Sequence, residues 1–447
     1  MSISLSHLTQ LIKGEIQLTS SKSESNRALI IQALCVADFE IENLSQAEDT
    51  LIFKKILNSI HHNNAQNVLD IEHAGTAMRF LTAFLAIKDG EFVLTGSERM
   101  QQRPIKILAD ALKTLGAEIE FLKNEGFPPL KIKGKKLLGG EINVDGSVSS
   151  QYISALMLVA PYMENGLKLN FEGQLTSKPY LEMTLEIMRY FGAELTWKDS
   201  CFRRNDGIEI KTGKYIAKDF IVEADWSASS YWYSMVALAK EAEIILLGLQ
   251  KESLQGDAVV AKIYENFGVK TEYLKNAVLL TKTSNFRLPT SGFTFDFTNC
   301  PDLAQTIAVT CAALNVPTKL TGLSTLRIKE TDRIAALQNE LNKLGYNVEV
   351  ENDDLIILPP LPNQTSLRGI ACPDFSGKQS LSTKEIDLPR STSLAMTSIK
   401  TYNDHRMAMA FAPLAILYPI KIEDEEVVKK SYPNFWEDLR IVGFEII

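Results

Sequence analysis

The sequence has few cysteines, and their spacing suits neither a metal site nor a disulfide framework. Its 447 residues include five cysteines, an odd number, scattered from Cys35 to Cys372 without a CxxC pair. A disulfide-stabilised secreted fold or a zinc site would need paired or regularly spaced cysteines. We therefore expect a protein of the reducing cytoplasm and interpret each cysteine as a small core residue.

Long apolar runs and an excess of positive charge are also missing. One of the longest apolar runs, residues 154–160, falls well short of the roughly 20 residues that span a membrane. No basic region followed by an apolar stretch opens the chain, so we expect no signal peptide. The net charge of −8 argues against a nucleic-acid-binding surface. We expect no membrane or nucleic-acid partner and take a monomer as the default.

The length of the chain predicts two domains, because a single core rarely serves more than about 250–300 residues. A polar run at residues 211–219 marks one crossover between the domains, and a second near Thr19 would return the N-terminus to the other half. We predict a first domain over residues 20–222. The second would combine residues 1–19 with 223–447.

A supersecondary unit is repeated along the chain. Amphipathic stretches end in an apolar residue and a glycine at Gly116, Gly192, Gly268 and Gly345, at intervals of 76 or 77 residues, and a fifth ends at Gly443. More apolar stretches alternate with them, as expected of buried helices, at residues 154–162, 229–240, 303–314 and 405–417. The last interval is longer because residues 362–398, rich in Pro, Ser and Thr, form a predicted surface insertion with no assigned chemistry.

Basic residues and hydroxyls concentrate where helices are predicted to begin. In the most charged segment, Lys329–Arg333, four charges precede an amphipathic helix over residues 334–344, with Thr331 as the predicted N-cap. Backbone N–H groups at a helix start attract anions, and nearby cations add to that attraction. Taken singly, such a start is explained by capping or by solvated charges.

Many other helix starts share this design. They are Ser20–Arg27, His73–Arg79, Arg103–Pro104, Gly146–Gln151, Ser177–Tyr180, Pro301–Asp302 and Tyr402–Arg406. Capping does not require so many basic residues in one fold, so their number favours binding of anionic, hydroxyl-bearing ligands.

The same segments resemble the motifs of one enzyme family, the 3-phosphoshikimate 1-carboxyvinyltransferases or EPSP synthases. The matching strings occur in the family's order over nearly the whole chain: Ser21–Arg27, Ala74–Arg79, Arg103–Ile105, Asp145–Gln151, Ser177–Tyr180, Lys329–Arg333 and Tyr402–Met409. The resemblance implies an α/β fold of two domains. Each would be an inside-out α/β barrel of three βαβαββ repeats around buried helices.

The resemblance also implies a reaction and its ligands. The family transfers the enolpyruvyl group of phosphoenolpyruvate to the 5-hydroxyl of shikimate 3-phosphate through a tetrahedral intermediate, and it releases phosphate. No metal or organic cofactor is implied. Two ligands with four anionic groups would explain the local excess of Arg and Lys in an acidic chain.

Roles for individual residues follow from the motif matches alone. The implied shikimate 3-phosphate ligands are Lys22, Ser23, Arg27, Ser149, Ser150, Gln151, Ser177, Asp302 and Lys329. The implied phosphoenolpyruvate ligands are Lys22, Gly75, Arg103, Gln151, Arg333, Arg406 and Lys430, the last through the looser string Lys430–Pro433. Asp302 would accept the 5-hydroxyl proton, Glu330 would protonate the methylene carbon, and Lys22 is a third implied catalytic residue.

Three positions depart from the family pattern. His73 stands where many members have Asn, Phe80 replaces a common Pro, and Thr325 replaces an Asn that contacts the sugar-like ring. Gly75 is expected to leave room beside the donor site, as in members sensitive to glyphosate. Phe80 and His73 leave the degree of sensitivity open.

Two rival functions remain at this point. The sister enolpyruvyl transferase of cell-wall synthesis uses a UDP-sugar acceptor, but its expected cysteine is missing between Arg99 and Pro104. A non-catalytic anion-binding protein of the same fold is disfavoured because Lys22, Asp302 and Glu330 are all present. A decayed site would be expected to lose such charges first.

Overall fold

The protein has a mixed α/β structure. The computed structural model describes residues 2–61, 68–147, 149–173, 175–198, 207–359 and 397–447. Apart from its last two residues, the predicted insertion at 362–398 lies outside the described residues. Three cysteines within them, Cys35, Cys300 and Cys311, are free and buried, as expected of core residues.

Helices and short strands follow one another throughout the described residues. The helices are α1 (Lys22–Leu34), α2 (Glu48–His61), α3 (Gly75–Ile87), α4 (Lys106–Thr114), α5 (Ser150–Val159), α6 (Lys178–Tyr190), α7 (Trp226–Leu238), α8 (Val260–Glu265), α9 (Ala304–Ala313), α10 (Arg333–Lys343), α11 (His405–Phe411) and α12 (Phe435–Ile441). Short 3₁₀ turns precede α9 at Pro301–Leu303 and α10 at Ser324–Ile328.

The strands are β1 (Ser2–Ser6), β2 (Leu11–Gln17), β3 (Ile41–Glu42), β4 (Val68–Asp70), β5 (Gly90–Thr95), β6 (Glu118–Phe121), β7 (Leu130–Gly134), β8 (Gly140–Asp145), β9 (Leu167–Glu172), β10 (Leu195–Lys198), β11 (Gly207–Ile210), β12 (Phe220–Ile221), β13 (Glu241–Leu247), β14 (Val269–Leu274), β15 (Ala277–Lys282), β16 (Phe293–Asp296), β17 (Thr318–Thr321), β18 (Asn347–Glu351), β19 (Asp354–Leu358), β20 (Thr397–Ile399), β21 (Ile420–Glu423) and β22 (Glu445–Ile446).

One strand pattern recurs in the sheets. In the sheet β4-β5-β7-β6, β4 and β5 are parallel and the other neighbours are antiparallel. The sheets β8-β9-β11-β10 and β16-β17-β19-β18 repeat this order. A helix crosses over between the two parallel strands, which is the connection that a parallel pair requires. The predicted repeat of strand, helix, strand, helix and two further strands is therefore present in these three units.

The two N-terminal strands complete sheets built by the C-terminal part of the chain. β2 pairs in parallel with β13 over seven residue pairs, and β1 lies between β21 and β22. Where the chain leaves and re-enters this part, the amide of Ser21 donates to the carbonyl oxygen of Glu223 at 2.8 Å. The amide of Asp225 donates to the carbonyl oxygen of Thr19, also at 2.8 Å.

The buried apolar side chains form two separate cores. One core runs from Leu29 to Tyr215, and we call the residues around it the first half. The second half surrounds the core that combines Leu5–Leu18 with residues from Ala224 to Phe444. Helices α1, α3 and α5 contact one another inside the first half, and α9 contacts both α7 and α11 inside the second. These six inner helices are largely buried, as the apolar sequences of α5, α7, α9 and α11 predicted.

The glycines that mark the repeat end the outer helices as predicted. Gly116, Gly192, Gly268, Gly345 and Gly443 follow α4, α6, α8, α10 and α12, and all have positive φ values between 77° and 106°. Residues with a side chain rarely adopt this left-handed conformation, so glycine is favoured there. Within the described residues, we find no helix long and apolar enough to cross a membrane.

Candidate active site

All six inner helices begin at one cavity between the halves. Residues of their first turns or N-caps line it, or in the case of α9 residues of the 3₁₀ turn before it, and so do residues that begin the outer helices α6 and α10. Because backbone N–H groups point out of a helix start, this arrangement gathers several partial positive charges around one space. The fold thus explains why the sequence places polar residues at its helix starts.

The cavity collects nearly all of the residues implied by the motifs. Those that line it are Lys22, Ser23, Arg27, Gly75, Arg103, Ser149, Ser150, Gln151, Ser177, Asp302, Lys329, Glu330, Arg333 and Arg406. Lys430 is not among the lining residues. Its ammonium donates instead to the carbonyl oxygen of Asn403 at 2.8 Å, while the next residue, Ser431, does line the cavity.

We call the lining residues from Lys22 to Tyr180 the first wall. Its most enclosed cation is Arg27, which is 3% exposed. The guanidinium donates only to neutral groups: the hydroxyls of Thr184 and Ser154 and the carbonyl oxygens of Ser23 and Tyr180, at 2.7 to 3.3 Å. Burial lowers the pKa of Arg27 to about 10. Since no described carboxylate forms an ion pair with it, Arg27 has charge available for a ligand.

Arg79 and Arg103 extend the first wall in the same way. Arg79 donates to the carbonyl oxygens of Gly75 at 2.9 Å and Pro104 at 3.4 Å. Burial and the nearby Arg103 lower the pKa of Arg79 to about 10. The Nε atoms of both arginines are buried and have no hydrogen-bond partner among the described residues. Buried donors of this kind are costly unless they gain a partner, so both arginines can still bind an acceptor.

Lys22 is the exception on the first wall because it has an acidic partner. Its ammonium donates to the Asp49 carboxylate on α2 at 2.9 Å. Burial alone would lower the pKa of Lys22, but the carboxylates of Asp49 and Glu330 raise it above its ordinary value. Lys22 is therefore charged, and Asp49 fixes its position.

We call the lining residues from Asp225 to Ser431 the second wall, and here cations and carboxylates are paired. Asp302 lies at its centre. Its two carboxylate oxygens accept from Arg333 at 3.1 Å and from Arg406 at 2.9 Å, and the Lys329 ammonium is 3.5 Å away. Burial alone would raise the pKa of Asp302, but the three cations hold it far below its usual range.

Glu330 belongs to the same network. Its carboxylate accepts from Arg333 at 2.8 Å. Burial alone would raise the pKa of Glu330, but Arg333, Arg103, His405 and Lys22 hold it well below its usual range. The surrounding cations therefore favour the ionised form of both predicted proton carriers.

Arg333 is held from behind by a residue that the motif matches did not assign. Asp404, which is fully buried, accepts from Arg333 Nε at 2.7 Å and from Nη2 at 3.2 Å. The same carboxylate accepts from the amide of Arg406 at 2.9 Å and so caps α11. One buried acid thus positions two predicted phosphoenolpyruvate ligands.

One sequence prediction about this site was wrong. The N-cap of α10 is Asp332, not Thr331, because the Asp332 carboxylate accepts from the amide of Ala335 at 3.1 Å. The room expected for glyphosate beside Gly75 stays a prediction, and a Cβ atom at this position would lie 2.6 Å from Nη1 of Arg103. A methyl group at position 75 would meet a predicted donor-binding residue directly.

Comparison with known proteins identifies the family. The family model described as EPSP synthase (3-phosphoshikimate 1-carboxyvinyltransferase) matches residues 57–439. A 3-phosphoshikimate 1-carboxyvinyltransferase of Bacteroides fragilis is 46% identical over 436 residues, which cover 97% of this chain and 96% of the relative. The chain belongs to the EPSP synthase family. A Photobacterium profundum protein of the same description is 35% identical and covers 98% of each chain.

The fold agrees with solved EPSP synthases. An EPSP synthase from Acinetobacter baumannii matches with a TM-score of 0.72 and covers 100% of this chain and 99% of that chain. The sequences are 21% identical. The likeness therefore concerns the fold, and the residue roles must be argued from this chain.

Several polar residues of this EPSP synthase site were not assigned from sequence. Asp49, Thr76, Tyr152, Tyr180, Asp225, Tyr231 and His405 also line the cavity. Most of them lie inside or beside the motif strings, and this position in the sequence could have identified them as site residues. Asp49, on α2, gave no such signal, and neither did Asp225 and Tyr231 at the start of α7, because all three lie outside the motif strings.

The departures from the family pattern lie in different places. Thr325 lines the cavity, and its buried hydroxyl has no partner among the described residues. Phe80 is buried, with its ring centroid 5.6 Å from the guanidinium carbon of Arg27. Phe80 therefore supports a cavity residue from behind. His73 is exposed and is not among the lining residues.

Proposed function

We propose that the two walls divide the work of the reaction, the first wall binding substrate anions and the second moving protons. As a member of the EPSP synthase family, the enzyme transfers the enolpyruvyl group of phosphoenolpyruvate to the 5-hydroxyl of shikimate 3-phosphate. The products are 5-enolpyruvylshikimate 3-phosphate and phosphate. This is a step of the shikimate pathway, which leads to the aromatic amino acids.

The halves correspond to two domains in this proposal, one of residues 20–222 and one that combines 1–19 with 223–447. Each domain would be an inside-out α/β barrel, with three inner helices surrounded by the repeated sheets. The two separate cores and the pairing of β1 and β2 with C-terminal strands support this division. Closure of the two domains would exclude water from the cavity.

The first wall is proposed to bind shikimate 3-phosphate, together with Lys329 and Asp302 of the second. Arg27 would pair with an anionic group, because it has no acidic partner of its own. Ser23, Ser149, Ser150 and Ser177 supply hydroxyls, and the Gln151 amide already reaches Thr76 across the wall at 3.2 Å. Neutral donors and acceptors of this kind suit the hydroxyls of the substrate ring.

Phosphoenolpyruvate is proposed to lie between the walls. Lys22, Arg103 and Gln151 would contact it from the first wall, and the backbone at Gly75 would allow close approach. Arg333 and Arg406 would contact it from the second wall, where Asp404 fixes both. Lys430 would have to leave Asn403 to join them. Planar guanidinium groups can bind carboxylate and phosphate through two parallel hydrogen bonds.

Asp302 and Glu330 are proposed to carry the two protons. Asp302 would accept the 5-hydroxyl proton while the hydroxyl oxygen bonds to C2 of phosphoenolpyruvate. Glu330, protonated from solvent once the substrate anions have raised its pKa, would donate that proton to the methylene carbon. Collapse of the tetrahedral intermediate breaks the bond to phosphate and returns a methyl proton to a base. Lys22 would stabilise the phosphate as it leaves.

Binding of the substrate anions would also raise the pKa values of these carboxyl groups. In the free cavity, Arg333, Arg406 and Lys329 hold the pKa of Asp302 low, which makes it a weak base. Anions that bind these cations would weaken the attraction between the cations and the carboxylates. The pKa values of Asp302 and Glu330 would then rise toward neutral pH. Binding would thus prepare the groups for proton transfer.

The single observation that carries these roles is the meeting of buried cations without acidic partners and two ionised carboxylates in one cavity. A phosphate-release assay tests them with both substrates together and with each alone. We expect release only with both, and the same rate in the presence of a chelator. Loss of activity with the chelator that a divalent ion restores would contradict a metal-free reaction. Among the described residues, no group of three or more His, Cys, Asp or Glu is placed to hold a metal ion.

A further inference from the structure

Arg99 lies in a turn of the first half that is fixed by its own hydrogen bonds. The turn follows β5 and precedes a 3₁₀ turn at Met100–Gln102. The amide of Ser97 donates to the carbonyl oxygen of Glu72 at 2.8 Å, and the buried side chain of Met100 anchors the turn to the first core. The Arg99 side chain itself is exposed. Its backbone therefore provides a firm base for a side chain that reaches outward.

The guanidinium of Arg99 crosses from the first half to the second. Its Nε donates to the carbonyl oxygen of Glu330 at 3.2 Å, and its Nη2 donates to the carbonyl oxygen of Lys329 at 3.2 Å. The planar fork of an arginine can serve two neighbouring acceptors at once, whereas a lysine ammonium is a single point. The contact thus holds two consecutive peptide groups of the opposite half.

These two peptide groups carry side chains that act inside the cavity. The Lys329 ammonium lies 3.5 Å from Asp302, and the Glu330 carboxylate accepts from Arg333. The segment joins the 3₁₀ turn at Ser324–Ile328 to α10, so its carbonyl oxygens lie outside regular hydrogen bonding. Because the backbone position sets where both side chains point, a contact on the backbone can control the cavity.

We propose that Arg99 is a positioning residue that fastens the Lys329–Glu330 backbone to the first half and so aims the Glu330 carboxyl group at the carbon it protonates. This proposal rests on the role of Glu330 given above. Arg99 itself is not among the cavity-lining residues, so it acts through the peptide groups and not by touching substrate. It would therefore affect the transition state more than the binding of either substrate.

Steady-state kinetics of Arg99→Gln, Arg99→Lys and a matched control test the proposal. The control is Arg189→Gln, which removes an exposed arginine that pairs with Glu186 on α6. We expect Arg99→Gln to lower kcat about 10-fold and to change either KM less than about 3-fold, since a charged donor to two carbonyls is lost. Arg99→Lys should recover part of the loss, and the control should match wild type. Unchanged kcat in Arg99→Gln would overturn the proposal.

Hydrogen exchange tests the contact without relying on turnover. With shikimate 3-phosphate bound, amides of residues 329–333 should exchange faster in Arg99→Gln than in wild type or Arg189→Gln. Amides of α7, which is far from the turn in sequence and buried in the second core, should be unchanged and so exclude general unfolding. Equal exchange at 329–333 in all three proteins would show that Arg99 does not hold this segment.

A double variant separates this proposal from the role of Glu330. If Arg99 acts through Glu330, adding Arg99→Gln to Glu330→Gln should lower kcat by less than about 3-fold further. Full additivity of the two losses would overturn the positioning role while leaving Glu330 as the acid. Near-normal kcat in Glu330→Gln alone would instead remove the proposed acid, and the positioning role with it.

Discussion

The two walls of the cavity use charge in opposite ways. The first wall carries four cations, Lys22, Arg27, Arg79 and Arg103, and one carboxylate, Asp49. The second wall carries three cations, Lys329, Arg333 and Arg406, and three carboxylates, Asp225, Asp302 and Glu330. The first wall therefore has a surplus of positive charge before any ligand binds. On the second wall, that charge is already balanced.

This difference indicates what each wall needs in order to be stable. A buried cation without an acidic partner is destabilising, so the first wall gives up stability that a bound anion restores. Removing one partner of a buried ion pair is strongly destabilising, because the other charge then stays buried without compensation. The first wall should therefore tolerate loss of a cation without an acidic partner, such as Arg27, whereas the second wall should not tolerate loss of a paired one.

The largest expected effect is a loss of kcat when a carboxyl group of the second wall is replaced. Asp302→Asn and Glu330→Gln should each lower kcat about 10²–10⁴-fold, the usual contribution of general acid–base catalysis, with shikimate 3-phosphate binding largely kept. Phosphate release and calorimetric titration measure the two quantities. The matched control is Asp353→Asn, which breaks an exposed ion pair with Arg327. Near-normal turnover in either variant would remove that residue from the mechanism.

Stability of the free enzyme should distinguish Arg333 from Arg27. Arg333→Met leaves Glu330 and the fully buried Asp404 without their arginine and removes one of three cations from Asp302, and we expect it to lower the free energy of unfolding by about 3–5 kcal/mol. Arg27→Met removes a cation that has only neutral partners, so its cost should stay below about 2 kcal/mol. Denaturant unfolding without ligand measures both, and equal losses would contradict the contrast between the walls.

Much of this site followed from local sequence patterns. The repeated glycines predicted the outer helices, and the charged strings marked helix starts, because both signals depend on a few neighbouring residues. The six inner helices converge through the repeat, which explains why strings as distant as Ser21–Arg27 and Tyr402–Met409 line one cavity.

Contacts between distant residues could not be predicted in this way. Asp404 binds Arg333 across 71 positions, and Asp49 reaches Lys22 from a different helix. Thr331 and Asp332 can both cap a helix, and backbone angles decide which of them does so. The sequence does not give these angles, and the prediction of Thr331 as the cap of α10 was wrong. The position of the Arg103 side chain beside Gly75 depends on packing and gave no local signal.

The pH dependence of stability should extend the contrast to a third set of carboxyl groups, at the crossover between the halves. Burial raises the pKa of Glu24 to about 7, above its ordinary value of 4.5, and Glu24 accepts from the amide of Glu223 and from Gln255. A raised carboxyl pKa means that the folded state binds more protons than the unfolded state between these values. Stability should therefore fall as pH rises from about 4.5 to 7.

We expect this contribution to be roughly 1–3 kcal/mol. Urea unfolding at several pH values measures it, with Glu24→Gln as the variant that cannot ionise and Glu186→Gln as an exposed control. The slope over this pH range should flatten only in Glu24→Gln. Asp302 and Glu330 have lowered pKa values, so they contribute with the opposite sign and lose their stabilising effect as pH falls. An unchanged slope in Glu24→Gln would assign the pH dependence to other groups.

The smallest expected effect concerns the position at which a methyl group would touch the first wall. Gly75→Ala places a Cβ atom against Arg103, which must move because the nearest separation would be only 2.6 Å. Overpacking costs about 1–3 kcal/mol, and the end of an arginine side chain can give way, so we expect about 1–2 kcal/mol, or 5- to 30-fold in affinity. Both phosphoenolpyruvate and glyphosate should bind more weakly. The longer inhibitor has less freedom to follow a displaced guanidinium, so its inhibition constant should rise more than the KM of phosphoenolpyruvate.

Gly213→Ala, at a glycine where a Cβ atom would meet nothing within 4 Å, is the matched control. If the KM of phosphoenolpyruvate and the inhibition constant of glyphosate change equally, the methyl group acts only through Arg103. If millimolar glyphosate does not inhibit the wild type, the inhibitor does not bind at this wall.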